Sequence, residues 1–156
     1  MGALKIIACI VICQFVGFLG SFFTAPAIPT WYAALNKPSF TPPNWVFGPV
    51  WITLYLMMGI SAYLVWRLGL NEPGVKTALL LFGLQLALNA LWSPVFFGLK
   101  SPLAGAAVII LLWIVLLATI MVFFNLSRIS AILLIPYILW VSYAAVLNIS
   151  IMILNS

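Results

Sequence analysis

The residues of this sequence that could do chemistry are mainly aromatic, because the usual catalytic types are almost absent. The chain has no histidine and a single acidic residue, Glu72. A serine–histidine triad, a histidine-ligated zinc or haem site and a catalytic carboxylate pair are therefore excluded. The chain does have seven tryptophans, and indole rings bind flat apolar molecules through their faces. These residues predict an apolar binding site with no metal and no resident cofactor.

Two cysteines are the other reactive side chains. Cys9 and Cys13 are four residues apart in an apolar segment and would share one face of a helix. Small buried hydrophobic side chains are the favoured interpretation. A redox pair is the alternative.

Three tryptophans inside apolar segments share a helical face with other aromatic, polar or small residues. An unpaired amide in hydrocarbon costs several kcal/mol, so Asn89 is expected to face the protein interior and to bring Trp92 with it. The three stripes predict an aromatic pocket, or else an aromatic core without a ligand. The stripes are Phe47, Trp51 and Tyr55; Gln85, Asn89, Trp92 and Phe96; and Tyr137, Trp140, Ala144 and Asn148.

Prolines within the same segments indicate where the helices open. Pro49, Pro94 and Pro136 each lack the backbone N–H that a helix uses, and such interruptions survive where neighbours satisfy the freed carbonyl. Trp113 lies in an otherwise aliphatic segment with no polar residue near it in sequence. Its predicted role is packing or contact with lipid.

The elements that carry these residues are predicted to be membrane helices. Hydrophobic types make up 67% of the chain and charged types 4%, whereas a soluble domain has about 25% charged residues. The prediction is an all-α integral membrane protein, one domain over residues 1–156. Asn44, Ser101 and Ser127 are candidate helix caps. Uncharged stretches predict five spans at about 6–25, 45–66, 75–99, 102–126 and 129–154.

The first connection, residues 26–44, is predicted to be a structured lid over one end of the bundle. It holds five of the ten prolines together with Trp31, Tyr32 and Phe40, and so many fixed φ angles disfavour a flexible linker. The alternative is a loop lying on lipid headgroups. The first span also resembles a cleavable secretory signal, but Gly17 and Ser21 form a small-residue packing face that favours a retained helix.

Isolated basic residues set the predicted orientation. Two of the six, Lys37 and Lys100, fall on the side of the first loop, and the other four fall on the side of the amino terminus. This excess favours a cytoplasmic amino terminus. The dispersed positive charge indicates membrane topology and no nucleic-acid surface.

Particular segments closely resemble the TspO/MBR family, the tryptophan-rich sensory proteins that include the translocator protein, or peripheral benzodiazepine receptor. The most specific segment is KPSFTPPNWVFGPVW, within residues 31–67. The segments LALNALWSPVFFG and PYILWVSYAAVLN resemble the third-span and fifth-span patterns of that family.

The resemblance implies a five-helix membrane bundle, commonly a homodimer, with a pocket beneath the first loop. Ligands of the family include porphyrins such as protoporphyrin IX, isoquinoline carboxamides and benzodiazepines, and cholesterol in animal members. Some bacterial members are reported to degrade protoporphyrin IX in light, with tryptophans that match Trp51 and Trp140. The pocket residues that the resemblance implies are Tyr32, Pro42, Trp51, Asn89, Trp92, Trp140 and Ala144; the stripes above add Phe47 and Phe96.

We therefore expect a porphyrin-binding sensor or receptor in a bacterial cell membrane. A light-dependent porphyrin-degrading enzyme and a transporter of porphyrin or other hydrophobic molecules are the alternatives. Lys37 and Lys100 could pair with porphyrin propionates, or simply reach the interface. No Lys or Arg follows Arg128, so the cholesterol-recognition pattern of animal members is absent and sterol binding is doubtful.

Overall fold

The computed structural model describes residues 1–156 and consists of helices joined by short connections. Five helical segments are long and apolar enough to cross a membrane, which confirms the predicted all-α bundle of five spans. The helices are α1 (Gly2–Ala27), α2 (Asn44–Trp66), α3 (Val75–Ser93), α4 (Pro102–Leu126), α5 (Arg128–Leu133) and α6 (Ile135–Leu154). Short π-helical turns extend α1 over Ile28–Tyr32 and α3 over Pro94–Gly98.

The core of the bundle lies where α3 packs on α4, α1 on α2 and α4 on α6. Phe82 of α3 stacks on Phe123 of α4, with ring centroids 5.9 Å apart. Large side chains from α2, α4 and the fifth span are completely buried here, among them Met58, Leu116, Phe123, Leu134 and Tyr137. These side chains fill the half of the bundle away from the first loop. The half nearer the loop contains the cavity described below.

The first span is longer than predicted, because it continues to Tyr32 instead of ending near Ala25. Proline lacks an N–H and would normally end the helix. Here the Thr30 hydroxyl donates to Pro26 O at 2.8 Å, and the wider π turn accommodates Pro29. The irregular part of the first connection is therefore only residues 35–43, shorter than the predicted lid of residues 26–44.

The last span breaks at Leu134, two residues before Pro136. The Leu134 N–H bonds Ala131 O at 3.1 Å, which departs from the α-helical ladder. The Ser61 hydroxyl of α2 donates to the Ser130 carbonyl at 2.8 Å. A neighbouring helix thus satisfies a carbonyl at the break, although the carbonyl that Pro136 itself leaves without an N–H, four residues back, is that of Ile132.

Two of the three predicted helix caps are present. Ser101 Oγ accepts a hydrogen bond from Ala104 N at 3.2 Å, and Ser127 Oγ accepts one from Ser130 N at 3.3 Å. The prediction for Asn44 is wrong, because α2 begins at Asn44 itself and has no side-chain cap. Pro43 occupies the position before the helix and fixes the direction of the chain there.

Candidate functional site: an aromatic cavity beneath the first loop

A cavity of about 470 Å³ lies between α1, α2, α3 and α6, near the end of the bundle that carries the first loop. Its volume falls within the range of small-molecule sites. Most of its lining is apolar. Eight of the nine residues predicted for the pocket line this cavity: Tyr32, Phe47, Trp51, Asn89, Trp92, Phe96, Trp140 and Ala144.

Pro42 is the predicted residue that the structure does not place at the cavity. It lies in the irregular part of the first loop, just before α2. The loop ends at the cavity through Asn44, the first residue of α2, which does line it. Pro42 is therefore part of the loop and not of the cavity wall.

The α2 wall presents flat aromatic faces. Trp51 stacks on Tyr55 with ring centroids 5.5 Å apart and planes at 29°. The Trp51 and Trp140 rings are 6.4 Å apart and nearly perpendicular, at 89°, and Phe47 meets Trp140 edge-on at 6.1 Å. The four-residue spacing of Phe47, Trp51 and Tyr55 places these three rings on one face of α2, so the predicted stripe forms this wall.

The α3 wall has a second stacked pair. Trp92 and Phe96 have ring centroids 5.0 Å apart and planes at 19°. Trp92 Nε1 donates to Asn148 Oδ1 of α6 at 3.0 Å, and Asn148 Nδ2 donates to the Pro102 carbonyl at 2.8 Å. The amide of Asn148 therefore fixes the plane of the Trp92 ring while satisfying both of its own polar atoms.

A buried polar network forms the floor of the cavity. Tyr55 Oη donates to Asn89 Oδ1 at 2.6 Å, and Asn89 Nδ2 donates to Tyr137 Oη at 2.6 Å. Tyr137 Oη in turn donates to Gln85 Oε1 at 2.8 Å. Asn89 faces the interior as expected, but its amide already bonds protein groups on two sides, so its main role is to hold the floor together.

The sequence did not identify the α1 wall. Gly17, Ser21 and Thr24 line the cavity and follow one another by four and three residues, which is the spacing of a helical face. Their small side chains leave room for a ligand opposite the aromatic walls. Gln14, the only amide within α1, also lines the cavity and was the signal that could have revealed this face.

Hydrogen bonds hold the first loop over the cavity. Asn155 Nδ2 donates to the Asn36 carbonyl at 2.8 Å, and its Oδ1 accepts from Asn36 N at 3.0 Å. Tyr143 Oη donates to the Phe40 carbonyl. Lys37 Nζ donates to carbonyls near the end of the first span, including Tyr32 O at 2.8 Å, so this ammonium group satisfies a helix terminus.

Three buried donors at the site have no protein partner: Tyr32 Oη, Trp140 Nε1 and, in the cavity floor, Gln85 Nε2. All three atoms are shielded from solvent and cavity alike, so Tyr32 and Trp140 present their rings, not their polar atoms, to a ligand. The Tyr32 hydroxyl is therefore not positioned to hydrogen-bond a ligand.

Trp113 packs against the core, which is one of its two predicted roles, and it also makes a hydrogen bond that the sequence did not indicate. Its Nε1 donates to Ser142 Oγ of α6 at 2.8 Å, although no polar residue is close to it in sequence. Ser142 lies 29 positions away along the chain, and only the packing of α4 on α6 brings the two together. Trp113 does not line the cavity.

The structure defines a class of protein: a five-span membrane bundle with an aromatic cavity under a tethered loop. The sequence profile of the TspO/MBR family matches residues 9–154, and the chain belongs to this family. It is 47% identical to the tryptophan-rich protein TspO of Archaeoglobus fulgidus, over 100% of both chains. It is 44% identical to that of Chlorobaculum tepidum, over 97% of this chain and 96% of the relative, and 43% identical to human translocator protein, over 84% and 78%.

Proposed function

We propose that this protein is a membrane receptor or sensor that binds flat hydrophobic ligands, porphyrins such as protoporphyrin IX foremost, in the aromatic cavity. The observation that carries the proposal is the pair of stacked walls, Trp51 on Tyr55 and Trp92 on Phe96. Between them the cavity presents ring faces with few polar groups. Ring faces favour planar apolar molecules by stacking.

Ligands with the flat aromatic frame of isoquinoline carboxamides or benzodiazepines fit the same chemistry. The polar floor stays closed to them, because Asn89 is already bonded to Tyr55 and Tyr137. Shape and stacking would therefore select ligands more than hydrogen bonding does. A receptor of this kind accepts several planar molecules and ranks them by their fit to the walls.

Dark titration of the protein in lipid nanodiscs with protoporphyrin IX tests the proposal. Binding is followed through the porphyrin absorption band, so that the loss of a tryptophan does not alter the readout. Trp92→Leu removes a wall and should weaken binding by about tenfold or more, the equivalent of about 1.4 kcal/mol. Trp113→Leu is the matched control outside the cavity. Absence of saturable binding by the unaltered protein would refute the porphyrin assignment.

We further propose that bound porphyrin is degraded in light, with Trp51 and Trp140 as the residues that react. Their rings lie 6.4 Å apart at the cavity wall, within reach of a ligand stacked there. The excited porphyrin would be both the photosensitiser and the substrate that dissolved oxygen oxidises, taking up both oxygen atoms. The indoles of Trp51 and Trp140 would pass an electron to the excited porphyrin and take one back, so that they are regenerated. This chemistry requires no histidine and no carboxylate pair.

We also propose a homodimer in a bacterial cell membrane with a cytoplasmic amino terminus. Four basic residues, Lys5, Arg67, Lys76 and Arg128, lie at the end of the bundle opposite the first loop. Such an excess favours the cytoplasmic side. A reporter fused after residue 156 should accordingly be active only outside the cytoplasm.

A further inference from the structure

The helices α1 and α2 are in close contact at the end away from the first loop. A methyl group added at Gly59 of α2 would lie 2.7 Å from Ile10 Cα of α1. Closer to the loop, one turn along α2 and two turns along α1, a methyl group added at Gly17 would lie 2.5 Å from the Tyr55 ring. No molecule could pass between the helices at this level.

Toward the loop the same two helices separate. Gly48 of α2 has no atom of another element within 4 Å of a methyl group added there, although it lines the cavity. Other lining residues on these two helices are exposed on the outer surface, notably Phe18 at 58% and Ile52 at 63%. The cavity therefore reaches the lipid-facing surface through a cleft between α1 and α2.

The other sides of the cavity are closed by contacts. Between α1 and α3, a methyl group added at Gly20 would lie 3.2 Å from Ser93 Oγ. Between α2 and α6, the Phe47 and Trp140 rings meet at 6.1 Å. On the water side, the loop is tied to Asn155 by two hydrogen bonds.

One hydrogen bond joins the two helices at the inner end of the cleft. Gln14 Nε2 of α1 donates to the Ile52 carbonyl of α2 at 2.9 Å, just where the helices begin to separate. The first span is also the least buried, since 11% of its most apolar window is buried, against 33% or 39% in the other four. α1 therefore lies at the edge of the bundle, and Gln14 ties it to α2.

We propose that ligands reach the cavity sideways from the hydrocarbon of the membrane, through the cleft between α1 and α2, and that Gln14 restrains this opening. The proposal rests on the cavity being a ligand site, as proposed above. The route selects molecules that dissolve in the leaflet on the loop side, and it spares the hydrogen bonds of the loop. Exchange of ligand then requires displacement of α1 alone.

Thiol labelling tests the route without any porphyrin. Ala144→Cys, in a Cys9→Ala/Cys13→Ala background, places one thiol on the α6 wall of the cavity. The protein in liposomes is treated with N-benzylmaleimide or with the same reagent carrying a sulfonate on the ring, and labelling is followed by mass spectrometry. Ser39→Cys on the exposed loop gives the intrinsic reactivity ratio of the two reagents.

For each thiol, the apolar labelling rate is divided by the rate for the sulfonated reagent. We expect this ratio to be at least about tenfold higher at the cavity thiol than at Ser39→Cys. Gln14→Leu should accelerate apolar labelling by about threefold or more, and Gly48→Leu, which fills the cleft mouth, should slow it by a similar factor. Asn155→Ala, which releases the loop, should leave the rate of apolar labelling at the cavity thiol unchanged.

Equal relative labelling by the two reagents would overturn the proposal, because the thiol would then be reached from water. Acceleration by Asn155→Ala but not by Gln14→Leu would overturn it too, in favour of a route through the loop. If Gln14→Leu does not fold, the Gly48→Leu result decides, and an unchanged rate there counts against the cleft. If porphyrin does not bind but the labelling rates are as expected, the porphyrin assignment is refuted and the lateral route to the cavity still stands.

Discussion

At the scale of single residues, Trp51 and Trp140 at the α2–α6 contact are two of the three tryptophans that line the cavity. Replacing these two with Phe keeps their aromatic faces but removes their oxidisable indoles, while Trp92 remains. Under illumination, loss of the porphyrin band should fall by about tenfold or more, while dark affinity changes by less than about threefold. Absorption spectroscopy of the nanodisc-embedded protein measures both quantities.

A Trp113→Phe variant controls for this experiment, because its indole lies outside the cavity. It should degrade porphyrin at the unaltered rate. Equal losses of affinity and light-driven turnover in the double variant would indicate a plain binding pocket. The photochemical role of Trp51 and Trp140 would then be withdrawn.

The cavity floor makes a prediction about stability. Tyr55→Phe deletes the hydroxyl that bonds Asn89 Oδ1 and leaves that carbonyl oxygen buried without its partner. Such a loss destabilises a membrane protein by about 1 kcal/mol. Tyr63→Phe, a half-buried tyrosine of the same helix whose hydroxyl makes no hydrogen bond, is the control. Unfolding in mixed micelles should separate the two variants, and equal stabilities would show that the network contributes little.

Individual residues also show how much of the site was predictable. The sequence assigned Asn89 to the interior, because an amide in hydrocarbon must find hydrogen-bond partners. The helical period then placed Trp92 and Phe96 on the same face of α3. The packing of Trp113 could be predicted, but its hydrogen bond could not, because the partner Ser142 depends on which two helices pack together. Pro42 was implied by family resemblance alone and lies outside the cavity lining.

At the scale of elements, the first loop is the part whose order rests on few contacts. Asn155 alone makes hydrogen bonds to both the N–H and the carbonyl of Asn36. Asn155→Ala should therefore raise amide exchange across residues 35–43, by about tenfold, without affecting the spans. Exchange followed by mass spectrometry measures this directly. Ser156→Ala, next to it in the chain, should have no such effect.

Amide exchange in the unaltered protein tests whether residues 35–43 are ordered. Residues 35–43 should exchange far more slowly than an exposed terminus, because Lys37, Tyr143 and Asn155 all bond this segment or its base. Exchange as fast as at the termini would contradict a structured lid. It would favour the alternative of a loop lying on headgroups.

Element boundaries were predictable where charges or caps mark them, as at Ser101-Pro102 and Ser127. The end of the first span was not, because Pro26 and Pro29 normally stop a helix, and here a hydroxyl and a wider turn continue it. The α1 wall was missed for a related reason. Small residues on a membrane helix indicate either close contact with another helix or the wall of a cavity. The structure distinguishes the two, because α1 and α2 separate toward the loop.

At the scale of the whole molecule, the structure narrows the surfaces that could join two copies. Small residues that could allow close contact between helices occur at three places in the sequence: Gly17–Ser21, Gly83 and residues 104–107. Gly17 and Gly20 now face Tyr55 and Ser93, and Gly105 faces Phe96 and Asn148. A methyl group at Gly83 would meet nothing within 4 Å, and its neighbours Leu80 and Leu84 are exposed.

The proposed homodimer should therefore depend on Gly83. Small residues let helix backbones approach closely in lipid, so Gly83→Leu should weaken dimerisation by about tenfold or more. The monomer should stay at least as stable, because Leu favours a helix over Gly by about 0.8 kcal/mol. Subunit counting by single-molecule photobleaching in nanodiscs measures the change, with Gly48→Leu as the control at the α1–α2 cleft. A Gly83→Leu protein that remains dimeric would move the interface away from this face of α3 and require the outer faces of α1 and α4 to be tested in turn.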